Sequence, residues 1–173
     1  TPADFKGLKL RTLPTKVHVA FFTAVGALPT PIDWTELYQA LQQGLVDGQE
    51  NPPAMTYFGK LHEVQKFYSL TEHVNEPGIL LMSKKVMDKL PPELQTAVRN
   101  TARKVSLMQR EENDRDNKMY LEKLKEGGIQ INTVSPETIA ELRKIAESVY
   151  PEAAKECGTD AKALIQKMVD FNK

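Results

Sequence analysis

Two pieces of sequence decide the fold of this chain: K-L-R-T-L-P at Lys9–Pro14, and G-A-L-P-T-P-I-D-W-T-E-L-Y-Q-A-L-Q-Q-G-L-V-D-G-Q-E-N-P at Gly26–Pro52. Together they have the pattern of a βαβα unit, with Arg11, Trp34 and Asn51 at three of its turns. Ligands of an open parallel sheet bind beyond the carboxyl ends of its strands, so these turns are predicted to face a binding crevice. An arginine, an aromatic ring and an amide in one crevice suggest capture of a small carboxylate.

Strands are predicted where apolar residues alternate or cluster between turn residues, and helices where they recur every three or four positions. The predicted strands are Leu8–Leu13, Ala27–Ile32, a short one near Val46–Gly48, Lys66–Leu70, Gly78–Ser83 and Ile129–Val134. The predicted helices begin at Thr15, at Asp33 and at Asn51-Pro52, and continue with Glu93–Lys125, a helix from Glu137 and Ala161–Phe171. Strands that alternate with helices of about ten residues indicate an α/β fold with a parallel-rich sheet.

Local signals set the predicted helix ends. Asp33 can cap its helix, with Glu36 three residues later in the spacing of a capping box, and Gly44 marks the helix end. Asn51 followed by Pro52 is typical of an N-cap and a first helical position. The helix from Thr15 is predicted to carry Val17, Ala20, Phe21, Ala24 and Val25 on one face.

The predicted helix Glu93–Lys125 is long and contains neither glycine nor proline. At about 1.5 Å per residue it spans roughly 50 Å, more than one small domain. Its two ends carry apolar stripes, whereas Gln109–Lys118 is almost wholly polar. A helix that is polar in its middle and apolar at both ends is predicted to bridge two bodies.

Composition excludes several classes of protein. The 173 residues carry 23 Lys and Arg against 23 Asp and Glu, and such a balance gives no reason to expect nucleic acid as a partner. Cys157 is the only cysteine, so an internal disulfide and a four-thiolate zinc site are impossible. No apolar run is long enough to span a bilayer. The start T-P-A-D-F-K-G resembles neither a signal peptide nor an initiating methionine, and we expect a piece of a longer protein.

Motifs for catalysis, metals and phosphate are missing from the sequence. The three histidines, His18, His62 and His73, share no metal-ligand spacing, and a zinc-protease motif, a glycine-rich phosphate loop and a nucleophile elbow do not occur. We therefore expect no catalytic residues, no metal and no cofactor.

Each candidate site residue has a structural alternative. Arg11 offers a planar fork that fits a carboxylate, but it can equally be a solvated strand residue. Asn51 can donate to a ligand or only cap a helix. Trp34 can form a flat wall of the crevice or anchor its helix in the core. His73 lies between two predicted strands, where a lone histidine is usually structural or exposed.

A longer signature joins these residues: D-F-K-G-L-K-L-R (Asp4–Arg11), G-A-L-P-T-P (Gly26–Pro31) and E-L-Y-Q-A-L-Q-Q-G-L-V-D-G-Q-E-N-P (Glu36–Pro52). It continues with K-L-H-E-V-Q-K-F, T-E-H and L-P-P-E-L-Q further along the chain. In this order and over nearly its whole length, the chain resembles the substrate-binding proteins of tripartite ATP-independent periplasmic (TRAP) transporters.

The resemblance implies a fold like that of type II periplasmic binding proteins, with two α/β domains, a hinge and one long helix across both. It implies that residues 1–83 are the second ligand-binding domain. Residues 84–173 would then be the bridging helix plus C-terminal elements that pack on a first domain, which is missing here because family members are about twice this long.

For the site, the resemblance implies that Arg11 pairs with the ligand carboxylate, that Asn51 contacts the ligand, and that Trp34 lines the pocket. His73 matches a histidine that touches the ligand in some members. The implied function is capture of a small organic acid by hinge closure, in soluble form in the periplasm, for delivery to a TRAP membrane permease. Without the first domain, we expect weak ligand binding, exposed apolar surface at Leu94, Val98 and Leu124, and self-association or domain swapping.

Two other functions remain open at this stage. The same fold can serve a ligand-sensing or protein-interaction domain. An enzyme acting on organic acids is a third interpretation, which lacks a convincing pair of base and nucleophile. The sequence does not identify the acid, since dicarboxylates, hydroxy acids, keto acids and sugar acids share the group that Arg11 would bind.

Overall fold

A computed structural model describes residues 1–74, 78–156 and 160–171 of the chain. Its described strands are short and form two parallel sheets. They are β1 (Lys9–Thr12), β2 (Leu28–Pro31), β3 (Gly48–Gln49), β4 (Phe67–Leu70) and β5 (Gln130–Thr133). The first sheet has the order β2-β1-β3, and the second pairs β4 with β5. The predicted α/β class with parallel pairing is confirmed.

The helices connect these strands and cover the first sheet on both faces. They are α1 (Lys16–Ala24), α2 (Trp34–Gln42), α3 (Pro53–Phe58), α4 (Lys84–Met87), α5 (Pro92–Glu126), α6 (Pro136–Glu156) and α7 (Ala161–Phe171), with short 3₁₀ turns at Pro2–Phe5 and Leu61–Glu63. Among the described residues, none of the helices combines the length and the apolar character needed to cross a bilayer.

Two apolar clusters hold the first sheet in place. On one face, Leu10 of β1 packs with α1 and with Leu142 of α6. On the other, Leu37 and Leu41 of α2 pack with Val46 and Leu61. Phe22, which the predicted face of α1 omits, is almost fully buried, whereas Val17 and Ala24 of that face are exposed. The apolar face of α1 is therefore rotated from the predicted one.

The two predicted N-caps have different outcomes in the structure. The helix after Asn51 begins at Pro53, with Pro52 as its N-cap, because a residue followed by proline is pushed out of helical conformation. Asn51 is therefore not the cap, and that prediction is wrong. Asp33 does occupy the N-cap position of α2, but its side chain makes no capping hydrogen bond.

Helix α5 confirms the predicted long helix. Near its end it packs on α3, and Leu124 is fully buried. The prediction that Leu124 is an exposed apolar residue is therefore wrong. Leu94, Val98 and Val105 nearer its start are exposed, as is almost all of the helix as far as residue 115.

The predicted strand Gly78–Ser83 does not form, and this prediction is wrong. Ile79, Leu80 and Leu81 are 77%, 70% and 82% exposed, and their backbone groups make no hydrogen bond within the described part of the chain. A strand needs a neighbour with which to pair, and no described strand lies beside this segment.

Candidate functional site

Arg11 lies in the central strand of the first sheet, in register with Thr30 of β2 and Gln49 of β3. The residue is only 2% exposed, and its Nε donates to the carbonyl oxygen of Ile32 at 2.8 Å. Burial lowers the pKa of Arg11, while the charges of Glu50 and Asp33 act in the opposite direction. The guanidinium is thus buried and fixed by a hydrogen bond, so the alternative of a solvated strand arginine does not apply.

The two carboxylates near Arg11 come from the turns that follow β2 and β3. Asp33 leaves its own helix uncapped and contributes its charge to Arg11. Glu50 also contacts His73, whose Nε2 lies 3.5 Å from the Glu50 carboxylate. A carboxylate near a buried cation offsets part of the cost of burying the charge.

His73 is packed from several sides. Its ring stacks on Phe21 at 5.9 Å and meets Phe22 edge-on at 5.4 Å between centroids. Its Nδ1 lies 2.8 Å from the Oγ1 of Thr71, and its Nε2 faces Glu50. The ring orientation is therefore fixed by the core on one side and by polar groups on the other.

Asn51 lies between β3 and α3 and is tied to both sheets. Its Nδ2 donates to the Oε1 of Gln49 at 2.6 Å, and its backbone oxygen accepts from the hydroxyl of Tyr68 at 2.8 Å. Burial and the charge of Glu50 raise the pKa of Tyr68 to about 12, so this hydroxyl stays a donor at neutral pH.

Trp34 lies at the start of α2 and is 38% exposed. Its indole covers Gly59 so closely that a Cβ there would lie 2.9 Å from two ring carbons. The ring is thus neither buried in the core nor fully solvated, and two carbons of its six-membered ring lie against the end of α3.

An open cavity of about 1110 Å³ lies between the two sheets. Asn51 and His73 line it together with Glu50, Tyr68 and Gln49, whereas Arg11 and Trp34 do not line it. Glu50 thus lies beside His73, and its charge acts on Arg11, but the structure does not bring all four predicted residues to one surface.

Sequence reasoning missed Glu50 and Tyr68. Glu50 stands between Gln49 and Asn51 in the D-G-Q-E-N turn, and that adjacency could have identified it. Tyr68 lies in a predicted strand, but the contact of its hydroxyl with Asn51 depends on how the two sheets are placed, which the sequence does not encode locally.

Within the described residues, no group of three or more His, Cys, Asp or Glu side chains is arranged to hold a metal.

Comparison with known proteins agrees with this architecture. The model of the DctP family, bacterial extracellular solute-binding protein family 7, matches residues 1–156. The 2,3-diketo-L-gulonate-binding periplasmic protein YiaO of Escherichia coli is 37% identical over 133 residues, which are 77% of this chain and 40% of that protein.

Solved structures give the same result. A TRAP periplasmic solute-binding protein from Bradyrhizobium, in complex with D-galacturonate, is 33% identical with a TM-score of 0.84, over 98% of this chain and 55% of that one. Its counterpart from Polaromonas, bound to D-erythronate, is 38% identical with a TM-score of 0.80, over 95% and 54%.

The chain belongs to the DctP family of bacterial extracellular solute-binding proteins, and the predicted relationship to TRAP binding proteins is confirmed. The members of this family are substrate-binding transport proteins. The chain spans about 40% of the length of YiaO and about half the length of the two solved structures.

Proposed function

We propose that this chain carries the carboxylate-binding part of an extracytoplasmic solute-binding protein, which captures a small organic acid for a TRAP-type secondary transporter. The single observation that carries the proposal is the burial of the Arg11 side chain in the central strand of a parallel sheet, where a hydrogen bond to the backbone of Ile32 holds its guanidinium. Its fork can bind a carboxylate through two charge-assisted hydrogen bonds.

The class of ligand is an organic acid that carries hydroxyl or keto groups. YiaO is named for 2,3-diketo-L-gulonate, and the two solved relatives hold D-galacturonate and D-erythronate. Arg11 would bind the carboxylate, and Asn51 and His73, which line the cavity, would reach oxygens further along the ligand. The partly exposed indole of Trp34 would form a wall for the carbon chain.

Binding would be completed by hinge closure. In this proposal residues 1–83 form one ligand-binding domain, and residues 84–173 supply the bridging helix α5 and elements that pack on a first domain outside this sequence. The exposed first half of α5 supports a contact of this kind, although α6 itself packs on α1. A ligand would shift the population of closed protein by its higher affinity for that state.

The proposed setting is the periplasm, where YiaO is placed by its name. The partner would be a TRAP membrane permease, and the protein would bind its ligand without transforming it, with no cofactor. The exposed apolar residues Ile79–Met82 also support association with a second copy when this chain stands alone.

Isothermal titration calorimetry tests the proposal in a full-length protein that contains this chain, with D-galacturonate, D-erythronate and 2,3-diketo-L-gulonate as ligands. Arg11→Ala should weaken binding at least about a hundredfold, because two charge-assisted hydrogen bonds are lost. Arg11→Lys should also bind weakly, since a point charge does not replace the fork.

Arg99→Ala, at an exposed position on α5, is the matched control and should leave affinity unchanged. Thermal unfolding of each variant separates loss of the site from loss of the fold. Undiminished affinity in a folded Arg11→Ala variant would remove Arg11 from the site.

A further inference from the structure

Tyr68 joins the two sheets at the edge of the cavity. It lies in β4, in register with Ile131 of β5. Its hydroxyl donates to the backbone oxygen of Asn51 at 2.8 Å, and Asn51 lies between β3 and α3. The two residues are 17 positions apart in sequence, so this hydrogen bond is a tertiary contact and not part of a local turn.

The adjoining helix does not hold Asn51. The N-cap of α3 is Pro52, which leaves Asn51 outside the helix. The Asn51 side chain is held by Gln49 on its own turn, through one hydrogen bond from its Nδ2. An amide has a second N–H and a carbonyl oxygen, which together can contact a hydroxyl or keto group of a ligand.

The surroundings of Tyr68 keep its hydroxyl protonated. The ring is partly buried beside Glu50, and burial together with that charge raises the pKa of Tyr68 to about 12. The hydroxyl can therefore serve as a permanent donor under physiological conditions, which suits a fixed positioning contact.

We infer that Tyr68 is a positioning residue that orients the amide of Asn51 toward the cavity by fixing its backbone carbonyl. The inference rests on the proposed function, because it assigns Asn51 to the ligand. It predicts that Tyr68 acts on affinity through Asn51 alone, although its ring also lines the cavity.

A double-mutant cycle tests this route in the full-length protein, by calorimetry with D-galacturonate and D-erythronate. Tyr68→Phe keeps the ring and removes the hydroxyl, and it should weaken binding about tenfold, the equivalent of one hydrogen bond. Asn51→Ala should weaken binding as well, and the double variant should bind no more weakly than Asn51→Ala. Tyr38→Phe is the control, because its hydroxyl donates to Glu63, away from the cavity, and its affinity should not change.

The outcomes are distinct. Additive losses in the double variant, or an unchanged affinity of Tyr68→Phe, would overturn the positioning role while leaving the carboxylate site in place. A wild-type protein that binds none of the acids would overturn the site and the role together. If binding to Asn51→Ala gives no measurable heat, the NMR signal of the Asn51 side-chain amide replaces the double-mutant cycle. Tyr68→Phe should shift that signal, and Tyr38→Phe should not. A signal that Tyr68→Phe leaves unmoved overturns the role.

Discussion

Arg11 is held as a part of the fold, and in the proposed function it is also the group that binds the ligand. A buried guanidinium with no compensation would cost several kcal/mol, so its Nε–H is bonded to Ile32 and two carboxylates lie near it. These contacts fix the direction of the fork before any ligand arrives. A preorganised cation binds an anion more tightly than a mobile one, because less side-chain entropy is lost.

Tyr68 should make the protein sensitive to alkaline pH. Its pKa is raised to about 12, mainly by burial and secondly by Glu50, against an ordinary value near 10 in the unfolded chain. A raised pKa means that the folded state holds the proton more tightly. The resulting stabilisation is complete below about pH 10 and is lost as pH rises from 10 through 12, by about 3 kcal/mol in total, of which about 2 kcal/mol is lost by pH 11.5.

Urea unfolding at pH 9 and pH 11.5 measures this loss. In Tyr68→Phe the decrease in unfolding free energy between the two pH values should be smaller than in wild type by about 2 kcal/mol. Tyr150→Phe, at a half-buried position on α6, controls for removal of a hydroxyl. An identical decrease in wild type and Tyr68→Phe would contradict the assignment.

At the scale of elements, the contact between α2 and the end of α3 depends on a glycine. Gly59 has an ordinary φ of −74°, so a side chain there is not strained by its backbone. A Cβ would, however, lie 2.9 Å from the Trp34 indole and 3.1 Å from the carbonyl oxygen of Met55. Gly59→Ala should therefore displace the indole and destabilise the fold by about 1–3 kcal/mol.

Trp34 is the only tryptophan in the chain, so its fluorescence reports this displacement without labelling. The emission maximum should shift in Gly59→Ala. Gly78→Ala is the control, because a Cβ at Gly78 meets nothing within 4 Å. Equal spectra for wild type and Gly59→Ala would show that the indole does not rest on this glycine.

Elements with a strong local pattern could be predicted from sequence. The unbroken run of Glu93–Lys125 gave α5, and the glycine after α2 gave its end, where Gly44 has a φ of +69°. The start of α3 was misplaced by one position because two prolines follow Asn51, and the first of them is extended. Gly78–Ser83 has a strand-like composition, but a strand also needs a partner that is distant in sequence. None of the described strands pairs with this segment.

The candidate site was predictable as a set of residue types but not as a geometry. Arg11 was identified near the carboxyl end of a strand and Asn51 after one. Whether these two residues, Trp34 and His73 contact a ligand stays a prediction. The contacts made by Glu50 and Tyr68 run from one sheet to the other, so the local periodicity of the sequence does not predict them.

At the scale of the whole molecule, the exposed apolar surface and the length of the chain both indicate that further protein covers part of it. The chain spans about half the length of its solved relatives, and it exposes apolar side chains at Ile79–Met82 and along the first half of α5. Contiguous exposed apolar residues usually mark a surface that is covered in the working protein. When this chain stands alone, we expect a second copy to cover that surface.

The prediction is concentration-dependent self-association, with Ile79–Met82 as part of the interface. The backbone of this segment makes no hydrogen bond among the described residues, so it can also pair as an edge strand. Leu81→Lys places a charge at a side chain that is 82% exposed, and it should weaken association at least about tenfold, because burying a leucine is worth about 1.5–3 kcal/mol. Light scattering after size-exclusion chromatography measures the mass of wild type and variant.

Leu45→Lys is the matched control, because Leu45 is an exposed leucine in the loop after α2, and its association should equal that of wild type. Leu80→Pro separates the two kinds of contact, since it removes a backbone N–H that strand pairing needs. A loss in both Leu81→Lys and Leu80→Pro indicates pairing of strands, whereas a loss in Leu81→Lys alone indicates packing of side chains. A monomer at every concentration tested would show that a second copy does not cover this surface.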